Sequence, residues 1–244
     1  MRGQVQASQE YYEDFFSEER KRSHDNRERY EILFSIIDSL ELNQPVDVLD
    51  IGAGSGKITE FLYSRFNSVT AVDITCPPVM RRKLNEEEFN FVQGALPKLP
   101  FENNRFELVV CSEVLEHLPN REEQYRALQS IASILSQNGY LVLTTPNPKS
   151  IFKWLNNIVY SAMDRLNIED RNEGQLIENW IPPQRLESYI NELFMIEDSF
   201  GSYYCIPDMG LGLEKLSKPL SDYITKRNLA PNYGLYQYYV AKKI

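Results

Sequence analysis

The stretch Val48-Leu49-Asp50-Ile51-Gly52-Ala53-Gly54-Ser55-Gly56-Lys57 decides how this chain folds. A short apolar strand runs into an acid and then into glycines on alternate positions. A strand end that turns through glycines into a helix lets backbone N–H groups approach a ligand closely, because no Cβ stands in the way. Two better-known glycine loops fail here. The dinucleotide fingerprint G-x-G-x-x-G, started at Gly52, needs a glycine where Lys57 stands, and the phosphate loop G-x-x-x-x-G-K-[ST] needs a glycine at Ile51 and a hydroxyl at Ile58. What remains is D-x-G-x-G-x-G with its own acid at the strand end. A carboxylate there repels a pyrophosphate and suits a ligand that carries an ammonium group.

The rest of the chain sets the frame around this loop. A length of 244 residues fits one domain with an elaboration, or a domain with a small cap. The formal charge of −9, with Lys and Arg scattered among carboxylates, argues against a protein built to hold a nucleic-acid backbone. Arg81-Arg82-Lys83 reads as a solvated helix face. From Gln4 to Arg22 the sequence is polar and acidic, with no apolar signal segment, and no later run reaches membrane-spanning length, so the expected location is the cytoplasm. Cys76, Cys111 and Cys205 lie far apart, which fits reduced thiols and gives no zinc pattern.

Apolar spacing then orders the elements. Tyr30, Leu33, Ile37 and Leu40 share one helical face ahead of a strand at 46–51. Beyond the loop come a helix through Ile58, Phe61 and Leu62, a strand at 69–74, a short helix opened by Pro77-Pro78, and strands at 89–93 and 106–111. Gln124, Leu128, Ile131 and Leu135 mark a helix stopped by Asn138-Gly139, ahead of a strand at 140–145. Residues 149–166 read as an apolar helix, 167–179 as a polar loop, and helices at 184–193 and 211–223 alternate with strands at 194–204 and 235–241. Alternating strands and helices predict an α/β, doubly wound, mostly parallel sheet that binds ligands at the strand C-termini. The last two strands can pair antiparallel.

Four segments in this order resemble the class I S-adenosylmethionine-dependent methyltransferases, in particular the branch of ubiquinone and menaquinone biosynthesis enzymes and small-molecule methyltransferases. They are Val48 to Gly56, Ala71-Val72-Asp73, Leu99-Pro100-Phe101 through Phe106 to His117, and Leu135 to Pro148. The resemblance covers roughly residues 46–147 and implies a Rossmann-like, seven-stranded sheet with an antiparallel C-terminal strand. With the change of rhythm beyond Pro146, the chain is expected to form one domain over 1–244: an N-terminal helical lid (1–44), a cofactor-binding core (45–148), an inserted cap (149–183) and a C-terminal part (184–244). The implied cofactor is S-adenosyl-L-methionine. Gly52, Gly54 and Gly56 would admit its methionine portion, Asp50 would help fix the ammonium group directly or through water, and Asp73 would accept hydrogen bonds from the ribose hydroxyls. Cys111, Ser112 and Glu113 would line the sulfonium side. The family often carries an aspartate for the adenine amino group where this chain has Ala95, so only the Ala95 backbone and the Leu96 side chain are left to hold the base.

Methyl transfer from a sulfonium mainly requires the nucleophile to be aligned behind the methyl, so a dedicated base is optional. Histidines are confined to His24 and His117. His117 closes Glu113-x-x-Glu116-His117, which makes His117 and Glu116 the catalytic candidates, with His117 either a general base or a residue that shapes the site. The same letters resemble the metal cluster of small-RNA 2′-O-methyltransferases, but no histidine follows His117, and no metal is expected. Tyr11, Tyr12, Phe15 and Phe16 suit a lid, while Phe152, Trp154, Tyr160 and Trp180 belong to the cap. Tyr203, Tyr204, Tyr233, Tyr236, Tyr238 and Tyr239 suit either a sugar or aromatic ligand or strand packing. The expected function is transfer of a methyl group to a hydrophobic, aromatic or sugar-like small molecule, oxygen being slightly favoured, without nucleic acid or integral membrane association. The rival is a catalytically silent cofactor-binding subunit.

Overall fold

The computed structural model describes residues 24–42, 45–86, 89–151, 153–155, 178–205 and 213–244. Its helices are α1 (His24–Ser39), α2 (Lys57–Tyr63), α3 (Pro78–Glu86), α4 (Arg121–Ile134), α5 (Pro183–Asn191) and α6 (Leu213–Lys226). Its strands are β1 (Asp47–Ile51), β2 (Ser68–Asp73), β3 (Asn90–Gln93), β4 (Phe106–Ser112), β5 (Leu135–Pro146), β6 (Phe194–Ser202) and β7 (Tyr236–Lys243). Together the strands form one sheet in the order β3-β2-β1-β4-β5-β7-β6. β1 to β5 run parallel, and β7 lies antiparallel between β5 and β6.

The central strands are apolar on both sides because helices cover both faces. On one face Leu49, Val109, Cys111, Leu141 and Tyr239 pack against Leu128 and Ile131 of α4 and Leu186 and Ile190 of α5. On the other, Val48, Val110, Val142 and Tyr238 pack against Leu33 and Ile37 of α1, Leu62 of α2 and Met80 of α3. Adjacent residues of one strand thus enter opposite cores, as the period-two geometry of a strand requires. The strand order reverses between β1 and β4, which opens the crevice at Asp50 and Ser112.

The boundary between α4 and β5 departs furthest from the sequence expectation. α4 ends at Ile134, and the chain is already in β5 at Leu135, ahead of Asn138-Gly139. The helix-end carbonyls of Ser133 and Ile134 accept the N–H groups of Asn104 (2.9 Å) and Arg105 (2.8 Å), the lead-in to β4, and Leu135 pairs with Phe106. A strand arriving from elsewhere in the chain therefore caps the helix before its local stop signal is reached. The phenols also resolve: Tyr238 and Tyr239 are enclosed on opposite faces as packing residues, Tyr203 and Tyr204 are buried, and Tyr233 is exposed. Trp154 is exposed, and Trp180 lies under the Lys153 ammonium, 3.3 Å from its ring centre. The readings at Tyr11, Tyr12, Phe15, Phe16, Phe152 and Tyr160, and most of the cap, fall outside the described residues.

Candidate functional site

Asp50, the penultimate residue of β1, has no solvent exposure. Its Oδ2 accepts a 2.6 Å hydrogen bond from Thr59 Oγ1 in the first turn of α2, while Oδ1 is buried without a partner. Burial raises its pKa to about 7 against the Thr59 hydrogen bond, with help from the nearby Asp73 charge. A buried carboxyl with an open oxygen is costly unless a donor or cation meets it. The glycine loop next to it is organised by backbone. Gly52 and Ala53 donate to Val72 O (2.8 and 3.3 Å), and Gly52, Gly54 and Gly56 all have positive φ, at 75°, 51° and 77°. At Gly52 a Cβ would sit 2.3 Å from Val114 Cγ2, so that turn needs glycine for room as well as for conformation.

Asp73 closes β2 beside this loop. Its Oδ2 accepts from Gly54 N–H (2.8 Å) and its Oδ1 from Thr75 N–H (3.0 Å). Burial raises its pKa, opposed by these N–H bonds. Gly94 N–H donates to Asp73 O (2.9 Å), which fixes the end of β3 and brings Ala95 and Leu96 to the same rim. Leu96 packs at the edge of the core with Leu99. Asp50, the three glycines, Asp73, Ala95 and Leu96 are therefore carried by the neighbouring C-terminal ends of β1, β2 and β3.

The end of β4 holds a polar chain. Ser112 Oγ and Thr144 Oγ1 share a 2.8 Å hydrogen bond, Thr144 Oγ1 donates to Glu113 Oε1 (3.1 Å), and Glu113 Oε2 pairs with Arg29 Nη1 of α1 (3.3 Å). The Arg29 guanidinium lies over the rings of Tyr30 (5.0 Å) and Tyr236 (5.5 Å). Burial works against its charge, but Glu113 outweighs this with the surrounding phenols, and its pKa rises. Glu113 itself sits at φ 57°, a backbone conformation uncommon for a residue with a side chain. The following 3₁₀ turn, Leu115–His117, carries the remaining candidates. His117 is half-buried, its N–H bound to Val114 O (3.1 Å).

Two expectations need correction here. Glu116 is only 2% exposed, and its Oε2 accepts from Thr145 Oγ1 (3.2 Å). Burial and then the Glu113 charge push its pKa well above the usual carboxylate range. Enclosed in this way the carboxyl is withheld from an acceptor, and of the two catalytic candidates His117 is the one left half-exposed. Cys111 has its thiol enclosed in the core, which leaves only main-chain groups to face a ligand. Among the described residues no group of three or more His, Cys, Asp or Glu is placed to hold a metal ion. Sequence reasoning missed Thr59, Thr144, Thr145 and Arg29. A signal for Arg29 was present, because it lies four and seven residues before Leu33 and Ile36 on the buried stripe of α1.

The turn at Leu115–His117 also borders a groove of about 560 Å³ between the starts of α4 and α5. Gln124 and Asn179 join groove to turn, through Gln124 Nε2 to Leu115 O (3.2 Å) and Asn179 N–H to Glu116 O (2.7 Å). Its lining includes Arg121, Trp180 and Arg185 and none of the glycine loop.

Comparison with known proteins agrees with this arrangement. Residues 49–143 match the family model described as a methyltransferase domain. An uncharacterized protein of Methanocaldococcus jannaschii is 32% identical over 124 residues, 51% of each chain. The ubiquinone biosynthesis O-methyltransferase of Histophilus somni is 28% identical over 109 residues, 41% of this chain and 44% of that protein. The chain thus spans about half the length of the curated relatives it matches. In fold, a solved SAM-dependent methyltransferase from Methanosarcina mazei covers 86% of this chain and 97% of its own, with a TM-score of 0.61 at 19% identity.

Proposed function

We propose that this chain is a class I S-adenosylmethionine-dependent methyltransferase, a reading supported by the methyltransferase-domain match at residues 49–143, and that it methylates a small-molecule acceptor with oxygen the preferred nucleophile. The observation that carries the cofactor assignment is Asp50, a fully buried carboxyl with one oxygen unpaired at the edge of a glycine loop. An ammonium group satisfies that oxygen and a phosphate does not. Asp73, held beside Gly54, accepts from the ribose hydroxyls, and Leu96 with the Ala95 backbone supports the adenine. S-adenosylmethionine supplies the methyl group on an already activated sulfonium, so this chain's residues have mainly to align the acceptor and exclude water.

Glu113 places negative charge at the end of β4, and the Arg29 ion pair fixes its direction. That pairing ties α1 to the rim of the site. His117, on the turn beyond, takes the proton of an acceptor hydroxyl. The likeness to an O-methyltransferase over 109 residues supports oxygen as acceptor. The test is production of S-adenosylhomocysteine by purified protein offered phenolic, sugar and amine acceptors. Turnover with a hydroxyl acceptor that His117→Ala lowers at least tenfold, with cofactor affinity unchanged, fits this role. An undiminished rate removes His117 from the chemistry. Cofactor binding without turnover on any acceptor favours a silent cofactor-binding subunit.

A further inference from the structure

α6 is anchored by one side and bare on the other. On the inner side Ser221 is buried, its Oγ accepting from Tyr204 N–H (2.8 Å), and Lys218 pairs with Glu28 of α1 and Asp222. On the outer side Leu216, Leu220 and Tyr223, spaced i, i+4 and i+7, are 77%, 61% and 49% exposed. They form one stripe of the helix. Leu229 and Tyr233, shortly past the helix, are exposed as well. Leucines this open are ordinary singly; three large apolar groups in register on one helix call for a covering surface.

Charge narrows what that surface is. The chain carries a net −9, yet the exposed charged residues beside the stripe, among the described side chains, are Lys215, Lys226 and Arg227, the last with its guanidinium 4.6 Å from the Tyr223 ring centre. Among the described residues of α6, the carboxylate nearest the stripe, Asp222, is engaged by Lys218 (3.3 Å). A second copy of the same face would bring these cations against cations in either orientation, so self-pairing is disfavoured. An anionic surface with an apolar layer beneath it satisfies both the stripe and its flanks. At 14 residues α6 is too short to span a bilayer, so its own contact is peripheral.

We propose that α6 is an interfacial helix that lays Leu216, Leu220 and Tyr223 into the headgroup region of an anionic phospholipid bilayer, with Lys215, Lys226 and Arg227 against the lipid phosphates. The assignment does not depend on the reaction at the glycine loop. It is tested by flotation of the full chain with vesicles of phosphatidylcholine alone or mixed with phosphatidylglycerol. Wild type floats with the anionic vesicles at low salt and at least about tenfold less with neutral ones. Leu216→Ser/Leu220→Ser and Lys226→Glu/Arg227→Glu each fall to the neutral-vesicle level, while thermal midpoint and S-adenosylhomocysteine affinity stay at the wild-type values. Wild type that remains free of anionic vesicles overturns the proposal, as does an apolar variant that floats like wild type. So does a wild-type dimer that Leu216→Ser/Leu220→Ser converts to monomer, or equal binding to polyglutamate.

Discussion

Cofactor binding should expel a proton from Asp50. In the free protein burial holds this carboxyl at about 7 instead of 3.8. At pH 6 it is therefore about 90% protonated, and at pH 8 about 10%. The ammonium group of the methionine portion favours the ionised form and draws the pKa back down, so binding at pH 6 releases about 0.9 proton and binding at pH 8 about 0.1. Affinity for S-adenosylhomocysteine is accordingly about tenfold higher at pH 8 than at pH 6, a difference of about 1.4 kcal/mol. The sign for stability is the reverse. A carboxyl whose folded pKa is raised stabilises the free protein at acid pH, and that contribution is lost as pH rises from the unfolded value toward about 7. Calorimetric titration at pH 6 in two buffers of different ionisation enthalpy reads the proton directly. Equal binding heats in both buffers, with the same affinity at pH 6 and pH 8, would refute the reasoning. Asp50→Asn should abolish the pH dependence and leave a weaker, flat affinity.

Three further outcomes follow from neighbouring residues. Gly52→Ala combines φ 75° with a Cβ 2.3 Å from Val114 Cγ2, and should lower stability by about 1–3 kcal/mol in urea denaturation; a loss below the measurement error would show that the loop relaxes freely. Arg29→Met strands Glu113 in a largely buried position and should cost about 3–5 kcal/mol, whereas Arg29→Met combined with Glu113→Gln should recover part of it. Additive losses in that cycle would mean the pair does not interact. Ala95→Asp introduces the carboxylate that the class I methyltransferases this chain resembles often carry for the adenine amino group, and should strengthen S-adenosylhomocysteine binding by about 0.5–1.5 kcal/mol; unchanged affinity would place the adenine elsewhere.

Much of the sheet was legible because β1, β2, β4 and β5 are buried on both faces and read as short apolar runs between helical patterns. The glycine loop was legible for a related reason: a positive φ and a close approach leave few residue types open, so the requirement is written in the letters. What stayed hidden depends on groups distant in sequence. Asn138-Gly139 looked like the stop of α4, yet Asn104 and Arg105 cap that helix earlier, and Asn138 takes its positive φ inside β5. Glu116 looked like a partner of His117 because the two are adjacent, but Thr145 from the next strand binds its carboxyl inside the protein. Arg29 sat on the apolar stripe of α1 with nothing local to show that its counter-charge would be Glu113. Spacing along one element shows which residues share a face; it does not show what another strand brings to meet them.

Equilibrium binding of S-adenosylmethionine to the purified full chain and to Asp73→Ala bears most directly on the claim that the loop from Asp50 to Gly56 and the end of β2 form the cofactor site. Wild type should bind one equivalent, and the variant, deprived of the acceptor for both the Gly54 N–H and the ribose hydroxyls, should lose about 1–3 kcal/mol, roughly five- to 150-fold in affinity. No saturable binding by folded wild type, or an undiminished affinity in Asp73→Ala, would contradict it.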